Sequence, residues 1–159
     1  MRNLRDWLTN EMLLSAFDLA EQSVGLFVER LRCFRPKCIF GYPSSIALFA
    51  QMAERAGHDL ARLGVAAVFC TAEVLYDHQK STISRAFGGV PVVNGYGSRE
   101  GGFIAHECPA GHMHITSENV IVEFIREGRP VAPGEDGEIV VTHLDNHAMP
   151  FIRYRTGDV

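Results

Sequence analysis

Hydrophobic positions in the first part of the chain repeat at a helical spacing. Between residues 11 and 32, apolar side chains recur at steps of three and four, which keeps them on one face of an α-helix. The set comprises Leu13, Phe17, Ala20, Val24, Phe27 and Leu31. The spacing therefore predicts one long amphipathic helix over residues 11–32, which Pro36 follows as a breaker.

Short apolar runs then alternate with helical stretches. The runs Cys38 to Tyr42, Val65 to Cys70 and "VPVVNGYG" predict three strands. Helices are predicted from Pro43-Ser44, with Ser44 as the cap, to about Arg55 before Gly57, and from about Tyr76 to Phe87. Strands alternating with helices predict a parallel sheet, and strands this apolar predict that both sheet faces are covered.

The pattern changes after Gly102. The stretch "NVIVEFIREGRPVAPGEDGEIVVTHL" contains two β runs around a turn rich in Gly and Pro, with no helical periodicity. The predicted fold class is therefore α/β. Residues 1–102 form a partial parallel sheet with flanking helices, and residues 103–159 form an antiparallel β subdomain.

Composition excludes several classes of protein. Of the 159 residues, 47% are hydrophobic and the net charge is −4, which is globular composition and argues against a disordered chain. No Lys/Arg run indicates a nucleic-acid or membrane surface. The N-terminus lacks a secretory signal pattern, and the four cysteines are scattered as in a reduced compartment. We expect a cytoplasmic protein that binds neither nucleic acid nor membrane.

Three loops follow the predicted strands. They read "GYPSS" (41–45), "CTAEVL" (70–75) and "NGYGSREGG" (94–102). Because ligands of open α/β sheets bind beyond the carboxyl ends of the strands, these loops are candidates for a binding site. Gly95 and Gly97 flank Tyr96 and allow close approach to a planar group, while Glu100 is an oxygen donor of the kind that magnesium prefers. Taken singly, each feature is better explained by a turn or a solvated charge than by a binding site.

Taken together and in order, these segments resemble the adenylate-forming acyl-CoA ligase superfamily. "NGYGSREGG" resembles its tyrosine-glycine-x-threonine-glutamate motif, "CTAEVLYDHQ" its adenine loop, and "MPFIRYRTGDV" its motif matched at Tyr154, Arg155, Thr156, Gly157 and Asp158. "FGYPSSIALFAQMAE", "HECPAGHMHI" and "GEDGEIVVTHLDNHAMPFIRYRTGD" resemble the phenylacetate–CoA ligase branch and its capsule-biosynthesis relatives. The resemblance extends from about residue 37 to the end.

The resemblance implies a two-step reaction with a carboxylic acid, ATP with Mg²⁺, and CoA as the thiol acceptor. The branch suggests an aryl acid as substrate. A carboxylate oxygen attacks the α-phosphorus of ATP to give acyl-AMP and pyrophosphate, and a thiol then takes the acyl group.

The resemblance also assigns roles by position. Asp158 would hold both ribose hydroxyls, and Glu100 would ligate magnesium. The adenine site would comprise Ala72, Glu73, Asn94, Gly95, Tyr96 and Gly97. The acyl pocket would involve Tyr42, Ser44, Gly101, Gly102 and Phe103.

Arg99 departs from the pattern of the superfamily, which usually has Thr or Ser before the glutamate. A guanidinium binds phosphate strongly, which would place Arg99 with Glu100 in catalysis. A surface ion pair is the alternative for Arg99.

A second cluster, "AHECPAGHMHI", holds His106, Cys108, His112 and His114 within nine residues. Such donors can bind zinc, and His112 and His114 would share one face of a strand. Zinc is nevertheless not the favoured interpretation, because a short hairpin seldom aims four ligands at one point. Polar hairpin residues with one buried cysteine are the alternative.

Two segments of the superfamily are not found in the sequence. These are an upstream Ser/Thr/Gly-rich phosphate loop and a C-terminal domain after the aspartate turn. We therefore expect a segment of a ligase that is inactive alone. The alternative is a native short module that binds a nucleotide or a protein without catalysis. An incomplete α/β domain leaves apolar surface uncovered, which predicts a homo-oligomer.

Overall fold

The computed structural model describes residues 4–159, which divide into two compact units. The first unit ends at Val92 and the second is Val93–Val159. The predicted boundary near residue 102 lies about ten residues further along the chain, at the start of an antiparallel strand.

Two parallel strands and four helices make up the first unit. The strands β1 (Cys38–Gly41) and β2 (Ala67–Thr71) pair in parallel, with Cys38 opposite Ala67 and Gly41 opposite Cys70. The helices are α1 (Leu4–Leu8), α2 (Val24–Phe34), α3 (Pro43–Arg55) and α4 (Asp77–Ala86). Single 3₁₀ turns lie at Ala16–Asp18 and Ala61–Leu63.

The prediction of one helix over residues 11–32 is wrong, because α2 begins only at Val24. The Ser23 hydroxyl donates to the Asp18 carbonyl at 2.7 Å and accepts from the Ala20 N–H at 2.9 Å. Such local side-chain bonds compete with helix formation. Phe17 is consequently 99% exposed, whereas Val24, Phe27 and Leu31 of the apolar set lie in the core.

The helix predicted after β1 is confirmed at both ends. Helix α3 starts with Pro43 in its first turn, where the missing N–H costs nothing, and Gly57 follows its end with a φ of +76°. The residue at the cap position is Tyr42 and not Ser44, which lies within the first turn. The predicted helix at 76–87 is confirmed as α4.

Apolar side chains from α2, α3, α4 and β2 form the core of the first unit. Val28, Ala53, Val68 and Ile83 are fully buried within it. On β1, however, Phe40 is 69% exposed and stacks on Phe69 with ring centroids 5.5 Å apart. The expectation of two covered sheet faces therefore fails for this face among residues 4–159.

The second unit consists of antiparallel strands. One set comprises β3 (Val92–Ser98), β4 (Gly102–Glu107) and β5 (Met113–Ile115). A four-stranded sheet has the order β7-β6-β8-β9, formed by β6 (Val120–Arg126), β7 (Arg129–Pro130), β8 (Glu138–His143) and β9 (Tyr154–Arg155). Ile104, Val120 and Val141 form the centre of the hydrophobic core of the second unit. The predicted α/β class with a following antiparallel subdomain is confirmed.

Helices in the described part of the chain are all too short or too polar to cross a lipid bilayer.

Ala72, directly after β2, provides a test of backbone strain. Its φ is +67°, a conformation that costs an L-residue roughly 1–2 kcal/mol, while glycine loses about 0.5–1 kcal/mol in chain entropy. Ala72→Gly should therefore raise the free energy of unfolding of the full chain by about 0.5–1 kcal/mol. Urea denaturation measures this change.

Ala67→Gly, within β2, is the matched control and should lower the free energy of unfolding by about 0.5–1 kcal/mol. Equal destabilisation by both substitutions would contradict the assignment of strain to Ala72.

Candidate functional site

In the first unit, a hydrogen bond ties together the two loops at the carboxyl ends of β1 and β2. The backbone N–H of Ser44 donates to the Glu73 carboxylate (Oε2) at 3.3 Å. The first turn of a helix has free N–H groups and favours a negative charge, which explains the position of this carboxylate. Two predicted site residues, Ser44 and Glu73, therefore lie side by side.

The neighbours of this contact are open to solvent. Ala72 and Glu73 are exposed, and Tyr42 at the start of α3 is 48% exposed. The left-handed backbone at Ala72 sets the direction in which the chain leaves β2. These side chains are therefore accessible to a ligand within the first unit.

In the second unit, most of the predicted "NGYGSREGG" loop is strand. Residues 94–98 belong to β3, and only Arg99, Glu100 and Gly101 form the loop to β4. The Gly101 N–H donates to the Ser98 hydroxyl at 2.8 Å and closes this turn. The Asn94 N–H donates to the Glu107 carboxylate at 2.9 Å. The predicted loop of nine residues is thus a hairpin with a three-residue tip.

Position 97 requires glycine because there is no space for a side chain. A Cβ atom there would lie 2.5 Å from the Gly102 carbonyl oxygen, because the pairing of β3 with β4 shifts between Tyr96 and Gly97. Ile104, on the facing strand, is the unpaired residue of this bulge and is buried. The glycine after the tyrosine therefore serves the hairpin itself, whatever it contributes to a ligand site.

The tyrosine of this hairpin contacts the terminal aspartate. The Tyr96 hydroxyl donates to the Asp158 carboxylate (Oδ2) at 2.6 Å across 62 residues of sequence. Burial, followed by the hydrogen bond to Asp158, raises the pKa of Tyr96 to about 12. Tyr96 therefore keeps its proton at neutral pH and acts as the donor.

Backbone hydrogen bonds attach the aspartate turn to β8. The Thr156 N–H donates to the Ile139 carbonyl at 3.0 Å, and the Ile139 N–H donates to the Asp158 carbonyl at 2.9 Å. The Asp158 N–H also donates to the Thr156 hydroxyl at 3.1 Å, while Gly157 adopts a φ of +82°. The turn is consequently held in place on both sides of the glycine.

Next to this turn, Arg155 pairs with Glu138 on β8. The Arg155 guanidinium donates to the Glu138 carboxylate, with Nε at 2.7 Å. This hydrogen bond lowers the pKa of Glu138 below its ordinary value. Arg153 makes a similar pair with Glu123 at 3.0 Å. Both arginines are more than half exposed, so these pairs contribute little to stability.

Arg99 and Glu100 lie at the tip of the β3–β4 hairpin. Arg99 is exposed and Glu100 is half-buried, and neither has an ion-pair partner among residues 4–159. The surface ion pair considered for Arg99 is thus not found in the described chain. Glu100 leaves its oxygens available, which suits Mg²⁺, since this ion takes one or two carboxylates plus phosphate and water.

The histidine and cysteine cluster is not gathered into a zinc site. No group of three or more His, Cys, Asp or Glu side chains in the described residues is placed to hold a metal ion. His106 and His114 face each other across β4 and β5. Cys108 and His112 lie in the connecting turn, closed by the Cys108 N–H to His112 carbonyl bond of 2.9 Å. The expectation that His112 shares a strand face with His114 is wrong, because β5 begins at Met113.

The sequence predicts that Tyr96 and Asp158 border one adenosine site, but not that the two side chains form a hydrogen bond with each other. The sequence marks Thr156 only as a motif residue, yet its hydroxyl accepts from the Asp158 N–H and donates to the Ile139 carbonyl. No spacing signal predicts a contact over such a separation.

Comparison with known proteins gives consistent relatives. No protein-family model matches the chain. The chain is 27% identical to CapK of Staphylococcus aureus over 149 residues, which is 94% of the chain and 32% of CapK. It is 32% identical to a phenylacetate–coenzyme A ligase of Pseudomonas putida, covering 83% of the chain and 31% of that ligase. The chain thus spans about a third of the length of the curated relatives it matches.

Solved structures share the fold. The chain superposes on a 2-hydroxyisobutyryl-CoA ligase in complex with 2-HIB-AMP and CoA with a TM-score of 0.77 and 22% sequence identity. The match covers 87% of the chain and 34% of that ligase. It also superposes on the anthranilate CoA ligase AuaEII in complex with anthranoyl-AMP with a TM-score of 0.63 and 18% sequence identity. This match covers 79% of the chain and 25% of AuaEII.

Gly97→Ala tests the steric requirement in the hairpin. A methyl group 2.5 Å from a carbonyl oxygen forces the strands apart, which should cost about 1–3 kcal/mol of unfolding free energy. Gly41→Ala is the control, since its Cβ would lie 3.6 Å from Ile46, and should stay within about 1 kcal/mol of wild type. A stable Gly97→Ala chain in urea denaturation would refute the clash.

The pairing of Glu138 with Arg155 predicts a pH dependence. Since the folded pKa of Glu138 is depressed, the pair stabilises the chain above the unfolded pKa near 4.5 and loses this contribution as the pH falls through the folded value. Glu138→Gln should therefore be slightly less stable than wild type at pH 7, and this small difference should shrink below pH 4.5. Urea denaturation across pH measures it.

Glu118→Gln provides the control, because Glu118 is exposed without an ion pair in the described residues. A difference for Glu138→Gln that does not depend on pH would argue against the ion pair as its cause.

Proposed function

We propose that the chain is a segment of an ATP-dependent, adenylate-forming carboxylate ligase. Its similarity to phenylacetate–coenzyme A ligases and to CapK, and its acyl-CoA ligase fold, support this proposal. In this function a carboxylate oxygen attacks the α-phosphorus of ATP, which forms acyl-AMP and releases pyrophosphate. The thiol of CoA then attacks the acyl carbon, and AMP leaves. The chain would contribute the adenosine site and part of the acyl pocket, and be inactive alone.

The observation that carries this proposal is the Tyr96–Asp158 hydrogen bond of 2.6 Å. It brings the glycine-flanked tyrosine of one sequence motif to the aspartate of another within the second unit. Two motifs that act on one ligand must lie next to each other, and two unrelated turns need not. The contact therefore supports a common nucleotide site for both.

Asp158 suits the ribose of the nucleotide. A carboxylate offers two acceptor oxygens, which match the two donor hydroxyls of a vicinal diol. Asp158 is exposed, and its Oδ1 is not used by the Tyr96 hydroxyl. A carboxylate already held at one oxygen can accept the diol without losing further side-chain freedom.

The other nucleotide contacts are proposed from the resemblance. Gly95, Gly97 and the backbone of Asn94 would border the adenine within the second unit. The exposed guanidinium of Arg99 would contact phosphate, and Glu100 would supply one carboxylate to Mg²⁺, which neutralises phosphate charge.

In the second unit, the acyl pocket is proposed to include Gly101, Gly102 and Phe103. Phe103 is 43% exposed and stacks on His106 with centroids 5.9 Å apart. Aromatic surface of this kind accepts an aryl acid through stacking. ATP and CoA both occur in the cytoplasm, which is the compartment expected for this protein.

A homo-oligomer is proposed on a separate observation. The Phe40–Phe69 face of β1 and β2 presents apolar surface, which proteins usually cover.

Pyrophosphate exchange tests the proposed activity. The complete protein that contains this chain should exchange pyrophosphate into ATP when given the correct member of a panel of aryl, arylacetic and aliphatic acids. Asp158→Ala should raise the Michaelis constant for ATP by about 10- to 100-fold, because hydrogen bonds to a charged group are lost.

Asp136→Ala is the control, since Asp136 is an exposed carboxylate in the turn before β8, and it should behave as wild type. Folded complete protein without exchange on any acid would contradict the proposed function. Equal effects of Asp158→Ala and Asp136→Ala would remove Asp158 from the nucleotide site.

A further inference from the structure

We propose that the Tyr96 hydroxyl is a positioning group that orients the Asp158 carboxylate, and that the site thereby selects nucleotides carrying both ribose hydroxyls. This inference rests on the proposed function, in which Asp158 binds the ribose. It gives the hydroxyl of Tyr96 a role separate from that of its ring beside the adenine.

The geometry assigns the Tyr96 hydroxyl a specific task. The backbone of Asp158 is already fixed at both its N–H, by Thr156, and its carbonyl, by Ile139. Its side chain is exposed, and the Tyr96 hydroxyl at 2.6 Å is its one hydrogen-bond donor among residues 4–159. The rotamer of the carboxylate therefore depends on this single contact.

The position of Tyr96 makes it a stiff support. It lies on β3, where it pairs opposite Ala105, and its side chain packs against the core formed by Ile104, Val120 and Val141. A phenol anchored in this way has little freedom to follow the carboxylate. The aspartate must instead adopt the orientation that the phenol sets.

Orientation matters more for two hydroxyls than for one. A monodentate acceptor can rotate to follow a single hydroxyl at little cost. A vicinal diol is bound only when both carboxylate oxygens lie in the plane of the two hydroxyls and at hydrogen-bonding distance from them. A carboxylate that is fixed beforehand gains affinity for the diol because the loss of rotamer freedom has already occurred. Releasing it should reduce binding of the diol more than binding of a single hydroxyl.

The experiment compares AMP and 2′-deoxyAMP as probes, measured by calorimetry on the complete protein. Wild type should bind AMP at least about tenfold more tightly, the effect of one hydrogen bond to a charged group. Tyr96→Phe should reduce this preference to less than about threefold while retaining the ring. A merely structural role of Tyr96 would weaken both ligands alike and leave their ratio unchanged.

Tyr154→Phe is the matched control. Tyr154 lies in the same sheet as the aspartate turn and packs edge-to-face on Phe151 at 5.2 Å, and no hydrogen bond from its hydroxyl occurs in the described residues. It should keep the wild-type preference. Loss of the preference in both variants would assign the effect to the packing of the turn and overturn the proposal.

The remaining outcomes separate the two claims. A preference that persists in Tyr96→Phe overturns the positioning role and leaves the proposed function standing. Tighter binding of AMP by Tyr96→Phe would mean that the phenol competes with the ribose, which also overturns it. A wild-type protein without any preference refutes Asp158 as the ribose ligand, and with it the premise.

If Tyr96→Phe does not fold, 3-fluorotyrosine incorporated at position 96 provides a second test. This residue keeps the hydroxyl and reports its hydrogen bonding through the ¹⁹F chemical shift. AMP should move the resonance, and 2′-deoxyAMP at equal saturation should move it less. A resonance that neither ligand moves would overturn the proposal.

Discussion

A hydrogen bond between a strand and a turn organises the second unit of this protein. The Tyr96 hydroxyl and the Asp158 carboxylate, 2.6 Å apart, connect β3 to the turn that follows β9. The bond is effective because each partner is held independently. Tyr96 is fixed by its strand, and Asp158 by backbone bonds to Ile139 on β8. Because burial and Asp158 raise the pKa of Tyr96 to about 12, the phenol remains a donor over the whole physiological pH range.

The glycines around Tyr96 serve the same arrangement. The space for a Cβ atom at Gly97 is taken by the Gly102 carbonyl, and the bulge there accommodates the buried Ile104. A motif with a glycine beside an aromatic residue can therefore arise from strand packing alone. What relates it to a ligand is the contact with Asp158.

The first unit shows how a helix end supports an acidic loop. Helix α3 presents the Ser44 N–H to Glu73 at 3.3 Å, so the loops after two parallel strands are joined through a charge and a helix terminus. The left-handed backbone at Ala72 precedes this contact. The exposed Phe40, stacked on the half-buried Phe69, shows that the sheet presents apolar surface on one face.

Local patterns in the sequence determined the alternation of helices and strands, the limits of α3, the antiparallel character after residue 102, and the resemblance to adenylate-forming ligases. These properties depend on neighbouring residues, through periodicity, proline and glycine. The pattern failed at residues 11–23, where the Ser23 hydroxyl bonds to the backbone of Asp18 and Ala20 in place of a helix. Only tertiary structure decided that the Tyr96 hydroxyl contacts Asp158 and that Cys108 and His112 lie in a turn while His106 and His114 pair across two strands. Such contacts depend on strand register and side-chain direction, which residues far apart in the sequence set together.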